Sequence, residues 1–101
     1  MPHYWATFRV AASPDYNARY NPMVAALEKI RDGMWAESIS FWAFGSGLGL
    51  DIVVTTLSAS LDPKRDLLVV GQLNDPAARY FGNLQHIEVF KSFFPNAQKF
   101  G

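Results

Sequence analysis

Between residues 38 and 70 the chain changes its hydrophobic period twice, and this limits its fold more than any other feature. Ser38-Ile39-Ser40-Phe41-Trp42 is extended in character, rich in β-branched and aromatic residues. From residue 48 to 61 the apolar positions Leu50, Val53, Val54, Leu57 and Leu61 recur at three and four, the helical interval. Asp51-Ile52-Val53-Val54-Thr55-Thr56, inside that window, has strand propensity instead. Each β-branched residue costs a helix a few tenths of a kcal/mol. Burying a Leu or Val side chain returns about 1.5–3 kcal/mol, so burial favours the helix. Asp62-Pro63-Lys64-Arg65 reads as a turn, because proline presets the backbone angle. Leu67 to Leu73 follows as a strand. Its Leu67-Leu68-Val69-Val70 run is apolar on both parities, as in a central strand covered on both faces. Strand, helix, turn and strand in this order make half of an α+β sandwich.

The preceding residues supply the other half. Tyr4 to Val10 alternates Tyr4, Ala6, Phe8 and Val10 against Trp5, Thr7 and Arg9, a strand with one buried face. Asn21 suits a helix cap, Pro22 the first helical position and Gly33 the exit, with Met23, Ala26, Leu27 and Ile30 on one stripe. Ser13-Pro14 offers an earlier start, but that helix would contain Pro22 at a cost of roughly 3 kcal/mol. The spacing therefore predicts a separate turn before Asn21, or a kink there. Trp35 to Phe44 is extended, as one bent strand or two short ones, and Gly45-Ser46-Gly47 ends it. Asn74-Asp75-Pro76 stops the strand at 67–73. Beyond it, Asn83 suits a cap for a helix carrying Leu84, Ile87, Phe90, Phe93 and Phe94 to Pro95, while residues 86–90 also read as a short strand. The expected fold is one ferredoxin-like βαββαβ domain over residues 1–101, with its core at 4–73 and an aromatic C-terminal extension, strand or helix, at 74–101.

Nine basic and nine acidic residues leave no net charge, so composition gives no general attraction to nucleic acid or anionic membrane. The absence of cysteine excludes disulfides, thiolate metal sites and a cysteine nucleophile. MPHYWATFRV lacks a signal-peptide pattern, and no apolar run approaches the ~18 residues of a membrane span. The expected setting is cytoplasmic, with no membrane partner. Eight Phe, four Tyr and three Trp exceed what a small interior absorbs, which favours an oligomer interface or a stacking platform.

The strand at 38–44, the helix at 48–61 and the run Leu61-Asp62-Pro63-x-x-Asp66-Leu67-Leu68-Val69 together resemble one family over roughly residues 4–73. It is the small CRISPR-associated adaptation protein, the non-integrase subunit of the spacer-acquisition complex, with its VapD-like relatives. The resemblance implies a homodimer of ferredoxin-like domains in which a C-terminal strand adds to the partner's sheet. Residues 84–94 would take that part, placing Ile87, Val89, Phe90, Phe93 and Phe94 at the dimer interface. Family nucleases that depend on metal carry an aspartate near the end of the first strand, in a pattern like Tyr-Asp-Val. Here the matching tripeptide is Phe8-Arg9-Val10, and arginine offers no oxygen ligand to a hard cation. Asp15 lies beyond Pro14, away from the matching position. The reading is therefore of no catalytic residue, no metal and no cofactor.

Arg9, and Lys64 and Arg65 in the turn, suit a nucleic-acid phosphate, against the plainer reading of solvated surface cations. His3 and His86 sit in no ligand-spaced cluster, and sequence assigns no carboxylate to orient His86 as a base. Gly45-Ser46-Gly47-Leu48-Gly49 lacks both the nucleophile-elbow and the phosphate-loop pattern. Trp5, Trp35, Trp42 and Phe44 suit base stacking, with core packing the stronger reading. The leading expectation is a non-catalytic dimeric scaffold or nucleic-acid-associated module. The alternatives are a VapD-like ribonuclease toxin and a dimeric ferredoxin-like barrel enzyme acting on a small aromatic substrate. A deep apolar pocket opening on His3 or His86 would favour that enzyme, and a filled core the scaffold.

Overall fold

Residue parity in β1 (His3–Arg9) decides which side of the sheet holds the larger core. Tyr4 and Ala6 are buried and Phe8 half-buried on one face, while Thr7 and Arg9 stay exposed on the other. The fold is that of a computed structural model describing residues 2–74 and 77–99. α1 (Tyr16–Ile30) and α2 (Leu50–Ser58) cover the first face, bringing Met23, Leu27, Val53 and Leu57 onto Tyr4, Ala6, Trp42 and Phe44. The helical spacing of residues 48–61 thus prevails over their strand propensity, as the burial energies require.

β2 (Met34–Trp35), β3 (Phe41–Gly45) and β4 (Leu67–Leu73) complete an antiparallel sheet ordered β2-β3-β1-β4. The extended stretch at 35–44 is two short strands, separated by a loop in which Ser40 takes a positive φ of 59°. This mixed α+β order, β-α-β-β-α-β, is compatible with a ferredoxin-like sandwich.

Two expectations are corrected. The first helix starts at Tyr16 and runs through Pro22 without a separate turn. Pro22 removes the hydrogen bond to the Ala18 carbonyl on the exposed side of the helix. Upstream, the amides of Tyr16 and Ala18 are satisfied by the carbonyls of Ser13 and Asp15, and Arg19 and Met23 are buried beneath. Burial of that first turn outweighs the lost bond. β4 is not a central strand: it pairs with β1 alone and lies at the edge. Leu68 and Val70 pack on the helices, but Leu67 and Val69 on the other parity are 48% and 40% exposed.

The second sheet face is covered at its other end. α3 (Ile87–Phe93) lies over β2 and β3, with the two-residue parallel ribbon of β5 (Arg79–Tyr80) and β6 (Gln98–Lys99) beside it. Phe90 and Phe93 join Trp35, Ala43 and Ala97 in a second core. Phe90 meets Trp35 edge-on at 4.9 Å and stacks on Phe94 at 4.8 Å, contacts worth about 0.5–1.5 kcal/mol each beyond area burial. The open choice for residues 86–90 resolves as helix. The expected stop at Asn74-Asp75-Pro76 falls partly on Asp75 and Pro76, which lie outside the described residues.

Candidate functional site

The Asp62–Arg65 turn and the β1–α1 loop meet in a charged network. Asp66, whose side chain is 1% exposed, accepts from the Arg19 guanidinium and from the amides of Ala11 and Asp62, both at 2.9 Å. Arg19 above all, then the Asp62 amide, holds the Asp66 carboxyl down at about 2. Arg19 also donates to the Ala11 carbonyl at 2.9 Å and the Ser13 hydroxyl at 2.6 Å. Arg65 bonds Asp62 at 2.8 Å and Asp15 at 3.1 Å, which raises its own affinity for its proton and pushes Asp15 well below the usual carboxylate range.

The three cations singled out for nucleic acid therefore stand differently. Arg65 spends its charge on two carboxylates that staple the turn. Lys64 and Arg9 make no ion pair among the described residues. Arg9 is exposed on the outer sheet face in register with Leu67, at the end of the sheet where the turn carrying Lys64 delivers the chain to β4.

The five tail residues proposed for a dimer interface also divide. Phe90 and Phe93 are buried in the protomer's own second core and Phe94 packs half-buried against it; Ile87 is half-buried. Only Val89 is exposed. Within the protomer residues 84–94 do not extend as a strand toward another sheet; their aromatics close the outer face of their own. The reason is local: Trp35, Phe41 and Ala43 leave an apolar floor on that face, and the nearest rings to cover it come from the same chain.

Unpaired sheet edges follow from hydrogen-bond parity. Ser46 donates to the Pro2 carbonyl at 3.2 Å and Phe8 to the Ser40 carbonyl at 3.3 Å, so even-numbered β1 residues bond toward β3. Odd-numbered ones bond toward β4, in register with Leu67, Val69, Gly71 and Leu73. The N–H and C=O groups of Leu68, Val70 and Gln72 consequently point off the sheet. β4 is seven residues long and contains no proline and no charge. On its outer face the Trp5 indole lies flat on Gly71, where a Cβ would stand 2.4 Å from the ring. At the opposite edge Gly45 donates to the Gly33 carbonyl at 3.0 Å, which by the same alternation turns the Met34 N–H and C=O outward.

Both histidines border α3. One cavity of about 690 Å³ runs between β2 and α3, lined by Trp35, Glu37, Asn83, Gln85 and His86 with Met34 and Val89. A second, of about 550 Å³, shares Met34 and Val89 and reaches His3, Asp32 and Glu88. Both are troughs open to solvent, and a third cavity of about 380 Å³ lies between α2 and β4, lined by Val54, Leu61, Asp66 and Leu68. Glu37 accepts from the Trp35 indole at 3.0 Å and from the amides of Gln85 and His86 at 2.9 and 2.8 Å. The Gln85 amide contributes most to holding its carboxyl below the ordinary range. Sequence reasoning passed over Glu37, because its two amide partners lie nearly fifty positions away and no local pattern marks it. Its bonds go to the His86 backbone, not the imidazole. Among the described residues no group of three or more His, Cys, Asp or Glu is placed to hold a metal ion, and no helix is long and apolar enough to cross a membrane. No protein-family model matches the chain, and no curated protein matches it.

Proposed function

We propose that the chain is a non-catalytic, homodimeric interaction module of ferredoxin-like fold, assembled through β4 and able to offer Arg9 and Lys64 to a nucleic-acid backbone. One observation carries the reading: an uncharged seven-residue edge strand whose outer N–H and C=O groups have no partner in the sheet. Such an edge invites another strand. An antiparallel edge is complementary to its own copy about a two-fold axis. With the axis at Val70, that residue faces its copy and Leu68 faces the copy's Gln72, so the outward groups of Leu68, Val70 and Gln72 all pair. Leu67 and Val69, exposed on the outer face, then meet apolar neighbours across the seam.

Placing the seam at β4 leaves the tail in its own protomer, as the burial of Phe90 and Phe93 requires. The non-catalytic part of this reading is supported by Arg9 in the position where the resembled nucleases hold aspartate, and by a histidine whose nearby carboxylate is bound to backbone.

Sedimentation velocity over a range of micromolar concentrations tests the assembly. Wild type sediments as a dimer and Gln72→Pro as a folded monomer, because proline removes one outward N–H while the β1 ladder stays intact. A wild-type monomer throughout overturns the reading. Cleavage of RNA or DNA by the pure protein with Mg²⁺ or Mn²⁺, abolished by chelation, overturns its non-catalytic part.

A further inference from the structure

The groove between β2 and α3 combines three properties. Its strand wall is the edge strand β2, whose Met34 N–H and C=O turn off the sheet and whose Met34 lines both troughs. Its floor is apolar at the end nearer His3, where Val89 and Phe93 line it. Its rim is acidic: Asp32, Glu37 and Glu88 line the two connected troughs, and no Lys or Arg does. This asymmetry arises in a chain with nine charges of each sign. Asp32 and Glu88 make no ion pair among the described residues, although Lys91 lies one turn from Glu88 on the same helix.

We infer that this groove receives an extended segment of a partner protein in which Lys or Arg alternates with an apolar residue, added as a strand along β2. Strand addition supplies main-chain hydrogen bonds through Met34, and alternate side chains reach opposite sides of the segment. The apolar ones settle on Val89 and Phe93. The basic ones lay their stems along the same floor and carry their charges to Asp32, Glu37 and Glu88. Charge complementarity selects this occupant: an acidic segment would bring like charges against the rim, and a second copy of this chain, neutral overall, carries no matching basic strand among its described elements.

The test uses the whole chain and two capped heptapeptides, Gly-Arg-Val-Lys-Val-Arg-Gly and the same sequence with Glu in place of Arg and Lys. Binding is followed by tryptophan emission, since Trp35 lines the groove, and by amide shifts of Met34, Ala36 and Val89. The basic peptide is expected to bind, to shift those amides and to protect the Met34 amide from exchange. Its affinity should fall about tenfold in Asp32→Asn/Glu88→Gln, as rim charges are removed from a surface-exposed site. Gln72→Pro, at the other sheet edge, should bind the basic peptide as wild type does, which separates this site from the dimer seam. No binding of the basic peptide overturns the inference. Equal binding of the acidic one, or an affinity unchanged in the double variant, does the same. Concentration-dependent shifts of Met34 without peptide would assign the groove to a second copy and overturn it too.

Discussion

Asp66 gathers hydrogen bonds from three places, the Arg19 side chain and the Ala11 and Asp62 amides, so one carboxylate ties the β1–α1 loop and the α2–β4 turn together. Asp66→Asn keeps the shape but leaves the buried Arg19 guanidinium without its main counter-charge. Melting temperature at neutral pH should fall by several degrees. The pH dependence has a definite sign. The folded carboxyl titrates at about 2, below the ordinary 3.8, so its contribution is complete above the ordinary value and drains away as pH falls toward about 2. Thermal melts at successive pH values should therefore show wild type and Asp66→Asn converging over that acid interval; a constant gap would refute the assignment. Gly71 makes a steric argument at the same scale. Its missing Cβ is the space the Trp5 indole occupies, at 2.4 Å from where that carbon would sit. Gly71→Ala must lift the ring off the sheet, at about 1–3 kcal/mol by urea denaturation, with a shift in tryptophan emission.

At the scale of elements, what the sequence disclosed and what it withheld have one physical basis. α2 and β4 were legible because their apolar period belongs to the segment itself. Leu50, Val53, Val54 and Leu57 mark a helix face whatever the neighbours do, and Leu67–Leu73 is extended by composition. The edge position of β4 was not legible, since it depends on which strand accepts the pairing and on α3 covering the far end of the outer face. The start of α1 was hidden by Pro22, whose local cost is real but is outweighed by the burial of Arg19 and Met23 around it. Asn83 reads as a cap for α3, yet the amides before that helix bond to Glu37 from the loop after β2. Of the candidate residues, Arg9 and Lys64 are exposed, whereas the pairing of Arg65 with Asp15 spans fifty positions that only the fold brings together. The tail supplies a test. Phe90→Ala empties the centre of the second core, where the ring meets Trp35, Tyr80 and Phe94. The expected loss is about 3–5 kcal/mol, and the second core's share of it should persist in the monomeric Gln72→Pro background. A loss that vanishes there would place the ring at the seam between copies.

For the whole molecule the question is how a chain without net charge could hold nucleic acid at all. Affinity would come from few contacts, because salt dependence follows the number of phosphates neutralised, at a slope of about −0.9 for each on duplex DNA. Each protomer offers Arg9 and Lys64; Arg65 is committed to Asp15 and Asp62. In the proposed dimer, pairing through β4 would double that set and set the two patches at opposite ends of the seam, because an antiparallel axis at Val70 would carry the Leu67 end of one copy to the Leu73 end of the other. A duplex bridging both patches should then show a log–log salt slope no steeper than about −4. Arg9→Ala should reduce that slope by about 2 in the dimer. In Gln72→Pro the slope should halve along with the oligomer, while the backbone-bonded seam of wild type, being uncharged, should survive the same rise in salt. Fluorescence anisotropy against salt reads all of these. A steeper slope, or one indifferent to Arg9, would move the nucleic-acid surface away from the outer sheet face and onto the remaining exposed cations.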